Sequence, residues 1–490
     1  MDVLKLISST QNSLGAIVPE MVLLIGFVIA LLFDLFLKDK RSLSIIGFIT
    51  LAVHLVFSII RLKNDDANID YHLFNEFLFV DTTNLIFSVI IASVALVTYI
   101  PFFIKRSQYV FNPEIFYLLP ILLLSAQFMV FSHHLLMMYL SVEFVSVVSY
   151  ILIAYDIKDQ ERAEASIKYI LFGVLASALM LYGLSLLYNL SNDLRFGSAF
   201  LSNLSEAGTD AVILPIVLFL AGFFYKISAF PMHYYVPDVY EGAKPKVLAV
   251  ISTIPKIASI ALLLNFTKNF SFEYNKMTLV WPHFPFADMM AYIAIATLFI
   301  ANLSAISQKS IKRIFAYSSI SHTGFILMGI TSFSSVGESS LLYYTIIFAI
   351  SNVAMFFIIE DWEQRYQIKT IDDLKGYFQN HAWSSVLVVI LLASFIGLPP
   401  FAGFVAKFYV FSAVFEQYVQ LQNNSFLFLL IAGALNTVVS LFYYFKIVKA
   451  IFLGREEAIA KKPANMLLSI VIFLLVWMLL IFGIFPDYLI

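Results

Sequence analysis

Cysteine is absent from the 490 residues. Without it the chain has no disulfide, no thiolate metal site, no iron–sulfur cluster of its own and no thiol nucleophile. Charge is scarce as well: Asp, Glu, Lys and Arg form 13% of the chain, about half the share usual in a soluble domain. Any chemistry therefore falls to a few carboxylates, lysines and histidines. The formal net charge of −2 is near neutral and says little about partners, among which no nucleic acid is expected. The opening MDVLKLISSTQNSLG lacks the charged segment and small-residue cleavage site of a signal peptide, so the first apolar run is expected to be retained. What is abundant is apolar surface. Hydrophobic residues make up 61% of the chain and the mean hydropathy is +0.89. At this length that composition predicts an all-α polytopic membrane protein with many spans of about 20 residues each.

Fourteen apolar runs are expected as helices, near 19–37, 43–60, 82–104, 115–132, 135–155, 166–190, 211–230, 246–266, 288–305, 313–333, 340–360, 383–414, 425–445 and 465–486. Of the thirty Lys and Arg, six fall at the termini or in loops after even-numbered helices: Lys5, Arg61, Lys63, Arg195, Lys268 and Lys276. Four, Lys168, Lys226, Lys256 and Lys407, lie within apolar runs, and the rest occupy loops after odd-numbered helices. Basic residues accumulate on the cytoplasmic side, so the odd loops are expected there and both termini outside.

An ionisable residue at the centre of a membrane helix costs roughly 2.5–3.5 kcal/mol on insertion scales, and such residues call for a functional explanation. Glu20, Asp34 and Asp81 fall at helix ends within reach of water or headgroups, and His54 is expected as a satisfied packing histidine. Glu143, near the middle of helix 5, is the one acid placed centrally in a run. Burial penalises a carboxylate and an ammonium alike, and each stabilises the other when they meet, which makes such a pair a controllable proton site. Lys226 precedes Pro231 by five residues, and Pro231 is expected to interrupt helix 7 and free carbonyls nearby. Lys256 follows Pro255 in helix 8, and Lys407 follows GLPPFAG in helix 12. Lys168, near the start of helix 6, is expected either to join these groups or to snorkel to the cytoplasmic surface. His322, near the centre of helix 10 with Ser318, Ser319 and Ser321 around it, is a candidate proton relay.

The same chemistry recurs along the chain. Helices 4 to 8 and 9 to 13 form two five-helix units, inverted relative to each other because five is odd. In each the second helix carries a titratable group and the fourth is discontinuous with a lysine, the pattern of transporter sites. The expected domains are residues 1–112 for helices 1 to 3, 113–268 for the first repeat, 286–450 for the second and 451–490 for helix 14.

With EASIKYILFG, FFYKISAFPMHYYVPDVYEGA, ISQKSIKRIFAYSSISHTG and GLPPFAGFVAKFYVF in view, the chain resembles the antiporter-like subunits of proton-pumping NADH:quinone oxidoreductase, respiratory complex I. Within them it looks most like the branch called subunit N in bacteria and subunit 2 in mitochondria. The resemblance implies a hydrated axis of titratable groups, which falls here on Glu143, Lys226, Lys256 and Lys407, with Lys168 and His322 as further members. It also implies that this chain binds no cofactor, that flavin, iron–sulfur clusters and quinone belong to partner subunits of the complex, and that its own substrate is the proton. One departure is local: after VYEGA, Lys244 and Lys246 replace the proline and small polar residues usual in the family. Two other readings share these features. One is a cation/proton antiporter or a subunit of a multi-subunit sodium/proton antiporter, and the other is a scaffold whose charges only pair helices.

Overall fold

The computed structural model describes residues 13–36, 40–64, 70–104, 113–154, 160–272, 285–453, 459, 462 and 465–489. The loop cations Lys5, Lys38, Lys105, Arg106, Lys158, Lys276, Arg455 and Lys461 lie outside them.

A backbone in hydrocarbon must satisfy its own hydrogen bonds, and a helix does so within one segment. The described chain is accordingly almost all helix: α1 (Val18–Phe36), α2 (Arg41–Asn64), α3 (Thr82–Ile104), α4 (Ile115–Phe131), α5 (Leu135–Ala154), α6 (Gln160–Ser191), α7 (Ser198–Ala207), α8 (Thr209–Ile227), α9 (Val236–Gly242), α10 (Pro245–Ile251), α11 (Ile254–Phe272), α12 (Phe286–Ser307), α13 (Ile311–Thr331), α14 (Ser335–Asp361), α15 (Tyr377–Asn380), α16 (Ala382–Ile396), α17 (Ala402–Leu421), α18 (Asn424–Leu453) and α19 (Met466–Ile484). Among the described residues, twelve stretches are long and apolar enough to cross a membrane. The shorter α4 and the broken pair α16 and α17 occupy the remaining two of the fourteen expected positions. Helices 7 and 12 are interrupted as the sequence predicts, at 228–235 and 397–401. Helix 8 differs from expectation. It is broken too, at Ser252 and Thr253, so Lys256 sits in the first turn of α11 and not mid-helix.

The chain forms two compact units. The first comprises Met1–Lys158, Ile170–Lys226 and Ile254–Phe284; the second Asp159–Tyr169, Ile227–Thr253 and Pro285–Ile490. In the first unit a hairpin of β1 (Tyr71–Leu73) and β2 (Leu78–Val80) pairs Tyr71 with Val80 and Leu73 with Leu78. Asp81 then caps α3, accepting from the Asn84 N–H at 2.7 Å, and takes Lys268 of α11 at 2.9 Å. His54 is satisfied as expected: its Nδ1 lies 2.9 Å from Pro19 O and its Nε2 3.1 Å from the Gln127 amide. Glu20 corrects the expectation of an accessible end residue. It is buried and pairs with Arg61 at 3.4 Å, because α2 runs back along α1 and closes over it.

In the second unit α13 and α14 are buried nearly throughout, whereas α18 and α19 turn leucine, valine and phenylalanine outward. Exposed apolar side chains lose nothing against lipid, so helix packing here rests on close fit and polar bonds. The Asn302 amide donates to Ser321 Oγ at 2.8 Å and Asn436 Oδ1 at 3.1 Å, and Tyr443 Oη donates to Asn302 Oδ1 at 3.1 Å. These bonds tie α12, α13 and α18 together. Tyr343 Oη donates to Phe482 O at 2.7 Å and fixes α19 on α14.

Candidate functional site

In the first unit Glu143 stands in the middle of α5, and Tyr150 lies seven residues on, along the same face. Lys226 occupies the last turn of α8, where the last carbonyls have no partner within the helix and the partial negative charge of its dipole favours an ammonium. Its Nζ lies 5.6 Å from the ring centres of both Tyr150 and Tyr225, and the Glu143 carboxylate acts on it through its charge. Tyr150 shares hydrogen bonds with Tyr225 and Ser146. Gly173 on α6 makes room for this group, since a Cβ there would collide with the hydroxyls of Tyr150 and Tyr225. Glu143, Lys226, Tyr150 and Tyr225 thus form one cluster, of which the sequence reading named only the two charges. The seven-residue spacing of Tyr150 from Glu143 was the available signal. Lys256 belongs to the same unit and is 2% exposed.

The second unit builds its lysine site differently. α16 ends at Ile396, and Gly397 follows at φ +87°, a conformation that favours glycine. The Gly397 and Leu398 N–H groups both donate to Ala393 O at 3.0 Å, closing the helix end. Ile396 O remains for Lys407, whose Nζ donates to it at 2.8 Å from the second turn of α17. The Lys407 stem passes against Gly397, where a Cβ would lie 2.9 Å from Lys407 Cδ. The ammonium rests 4.6 Å from the Phe325 ring centre, within cation–π range. Gly403 lets α17 approach α16: its N–H donates to Ser394 Oγ at 3.2 Å, and a Cβ there would strike Ser394 O.

His322 is buried, with Nδ1 2.7 Å from Tyr344 Oη. The surrounding serines are engaged: Ser318 with Tyr444 at 2.5 Å, Ser319 accepting from Tyr240 at 3.2 Å and Ser321 accepting from Asn302. Lys168 does not join the buried lysines. It is about one-third exposed and pairs at 2.7 Å with both Glu164 and Asp238. Burial alone would raise the Asp238 carboxyl, but the hydrogen bonds and charges of Lys168 and Arg313 outweigh it and hold it below its ordinary range.

The interruption at 228–235 keeps its backbone satisfied with side chains of the second unit. Thr323 Oγ1 donates to Ile227 O at 2.6 Å, and the Phe230 N–H donates to Thr297 Oγ1 at 3.1 Å. At the interruption of helix 8 the tie is between side chains, the Asn352 amide donating to Ser252 Oγ at 2.7 Å and Thr253 Oγ1 at 2.8 Å. Lys246, expected in a loop, is instead buried in α10 beside Glu360 of α14, at 3.9 Å. The sequence signalled it only as a departure from the family's turn.

Residues 132–440 match the family described as "NADH:quinone oxidoreductase/Mrp antiporter, TM". NADH-quinone oxidoreductase subunit N of Anaeromyxobacter sp. (strain Fw109-5) is 33% identical over 478 residues, covering 91% of this chain and 89% of that protein. Among solved structures, a chain of respiratory complex I from Thermus thermophilus superposes with a TM-score of 0.78 at 23% identity, covering 96% of this chain and 97% of that one. A chain of the Mrp complex from Dietzia sp. DQ12-45-1b superposes with a TM-score of 0.82 at 18% identity, covering 97% and 95%. At those identities the two superpositions establish the fold.

Proposed function

This chain belongs to the NADH:quinone oxidoreductase/Mrp antiporter membrane family, and from that membership we propose that it is the subunit-N-type proton-translocating subunit of an NADH:quinone oxidoreductase. The observation that carries the proposal is the placing of Lys226 and Lys407. Each is a buried lysine at the carbonyl end of a helix that stops inside the protein, the arrangement by which interrupted helices hold a cation in transporters. A scaffold would be expected to neutralise its lysines with acids, whereas Lys407 is met by a carbonyl and an aromatic face.

In this reading a proton is held and released at Lys226 under control of Glu143. The carboxylate stabilises the ammonium, so separating the two drives the proton off the lysine and toward Lys256, with Lys407 passing it onward. Such a displacement needs only a few ångströms, because the attraction between unit charges falls steeply once water enters between them. Tyr150 and Tyr225 supply hydroxyls beside the pair. His322 with Tyr344 is a relay, and Lys168 with Asp238 marks the cytoplasmic mouth. Water along this axis completes the path. Quinone reduction, and the flavin and iron–sulfur clusters that feed it, belong to partner subunits of the complex, which impose the displacement. The membrane is a bacterial inner membrane with both termini periplasmic; a reporter active only in the cytoplasm, fused to Ile490, should be silent, and a strong signal would reverse the orientation.

The test compares proton pumping with quinone reduction in vesicles holding the purified complex. Glu143→Gln and Lys226→Ala are each expected to abolish most pumping while the complex still assembles, and Glu143→Asp to retain part of it. Full pumping in both of the first two variants, with assembly verified, would reduce the pair to a structural contact. Co-purification in mild detergent separates the runner-up: a sodium/proton antiporter would come without flavin-containing subunits.

A further inference from the structure

The segment between Ile227 and Ile254 meets three other stretches of the second unit, and their charges are arranged by depth. Outermost are Lys168 with Asp238, and Arg313 with Asp238 at 3.0 Å and Glu241 at 2.6 Å. Next come Lys312 and Glu363, 3.1 Å apart with side chains 12% and 17% exposed. Deeper still are Lys246 and Glu360, 5% and 3% exposed. One helical turn separates Glu363 from Glu360, and the two carboxylates act on each other through their charges. Beyond Glu360, two turns back along α14, Asn352 holds the hydroxyls of Ser252 and Thr253, and Lys256 lies three residues past Thr253.

Two features separate the Lys246–Glu360 pair from a simple tether. A buried ion pair rarely adds net stability over an apolar replacement, because taking two charges out of water offsets most of their attraction. The contact is also loose: Nζ and Oε1 stand 3.9 Å apart, beyond hydrogen-bonding length. The carboxylate instead spends its oxygens elsewhere, Oε2 accepting the Lys246 backbone N–H at 3.3 Å and Oε1 accepting from Gln364. The lysine therefore sits beside the acid as a charge partner, close enough to stabilise it and too far to lock it.

We propose that Glu360 is a proton-carrying carboxylate at the cytoplasmic entrance, paired with Lys246 as Glu143 is paired with Lys226. It takes up one proton arriving past Glu363 and Lys312 and gives up the same proton toward Ser252, Thr253 and Lys256, so the step conserves charge over a cycle. This rests on the proton-translocating reading above, and it adds a group that neither the sequence motifs nor the family resemblance picks out.

The purified complex in vesicles tests it, with Glu360→Gln, Glu360→Asp and Glu143→Gln compared in one preparation. The amide of Glu360→Gln still offers an oxygen to the Lys246 N–H but cannot carry the proton. It should lose most of the pumping per quinone reduced, while Glu360→Asp keeps it. Infrared difference spectra taken under turnover should contain a carboxylic C=O band that vanishes in Glu360→Gln and shifts in Glu360→Asp, a response no structural tether would give. Normal pumping in Glu360→Gln alongside a defective Glu143→Gln overturns this inference alone. Normal pumping in both overturns the underlying function with it. If Glu360→Gln does not assemble, an unshifted carboxyl band in Glu360→Asp is enough to overturn the proposal.

Discussion

Lys226 and Lys407 each accompany an interrupted helix, but they meet the interruption from opposite sides. Lys226 is the last turn of the helix that stops, so it contributes to the end it sits on, and a titratable carboxylate, Glu143, answers its charge. Lys407 rises from the helix that restarts and reaches back across the gap to the carbonyl of Ile396. Its partner is a fixed dipole and an aromatic face, neither of which can gain or lose a proton. A site with a titratable partner can be switched by moving that partner. A site anchored on backbone can be switched only by changing the lysine or the helix end.

The largest effect expected from this contrast concerns Lys→Arg exchange. Arginine keeps a donor for Ile396 O, but its guanidinium stays protonated in proteins. Lys407→Arg should therefore assemble well and lose most proton pumping, as Lys407→Ala should too, when vesicle pumping is read against quinone reduction. Normal pumping by Lys407→Arg would show that the anchor matters and the proton does not, and the contrast with Lys226 would collapse.

A smaller effect, on stability, sharpens the description of the Lys407 side. Gly397→Ala places a side chain in the left-handed region, at a cost of about 1–2 kcal/mol, and drives its Cβ into the Lys407 stem. In a Lys407→Ala background that stem is gone. Gly397→Ala made there is thus the backbone strain alone. Thermal unfolding of the detergent-solubilised protein should drop further when Gly397→Ala is made with Lys407 present than when it is made on Lys407→Ala. Equal drops would mean that the lysine stem yields freely.

The smallest effect concerns the other interruption. Thr323→Val removes the hydroxyl that donates to Ile227 O and should cost about 1 kcal/mol, with Thr323→Ser restoring most of it. If the valine variant unfolds at the parent temperature, the carbonyl end beyond Lys226 is not held by Thr323, and the two interruptions differ more than the hydrogen bonds imply.

The sequence by itself determined the helical spans, two of the three interruptions and three of the buried lysines, Lys226, Lys256 and Lys407. Span length and apolarity are sums over neighbours in the chain, and Pro231, Pro399, Pro400 and Gly397 act on their own backbone, so both are local properties. Only the tertiary structure decided what each charge meets. Glu20 reads as a helix-end acid until α2 folds back over it with Arg61. Lys168 reads equally as an axis member or a surface residue until Asp238, 70 positions away, takes its ammonium. The interruption at Ser252 and Thr253 is held by Asn352, about 100 residues on. Lys246 lies 114 positions from Glu360, and no periodicity connects them. Burial and pairing depend on which distant segments pack together, and a buried charge is tolerated only where such a partner arrives, so hydropathy could locate these charges without foretelling their partners.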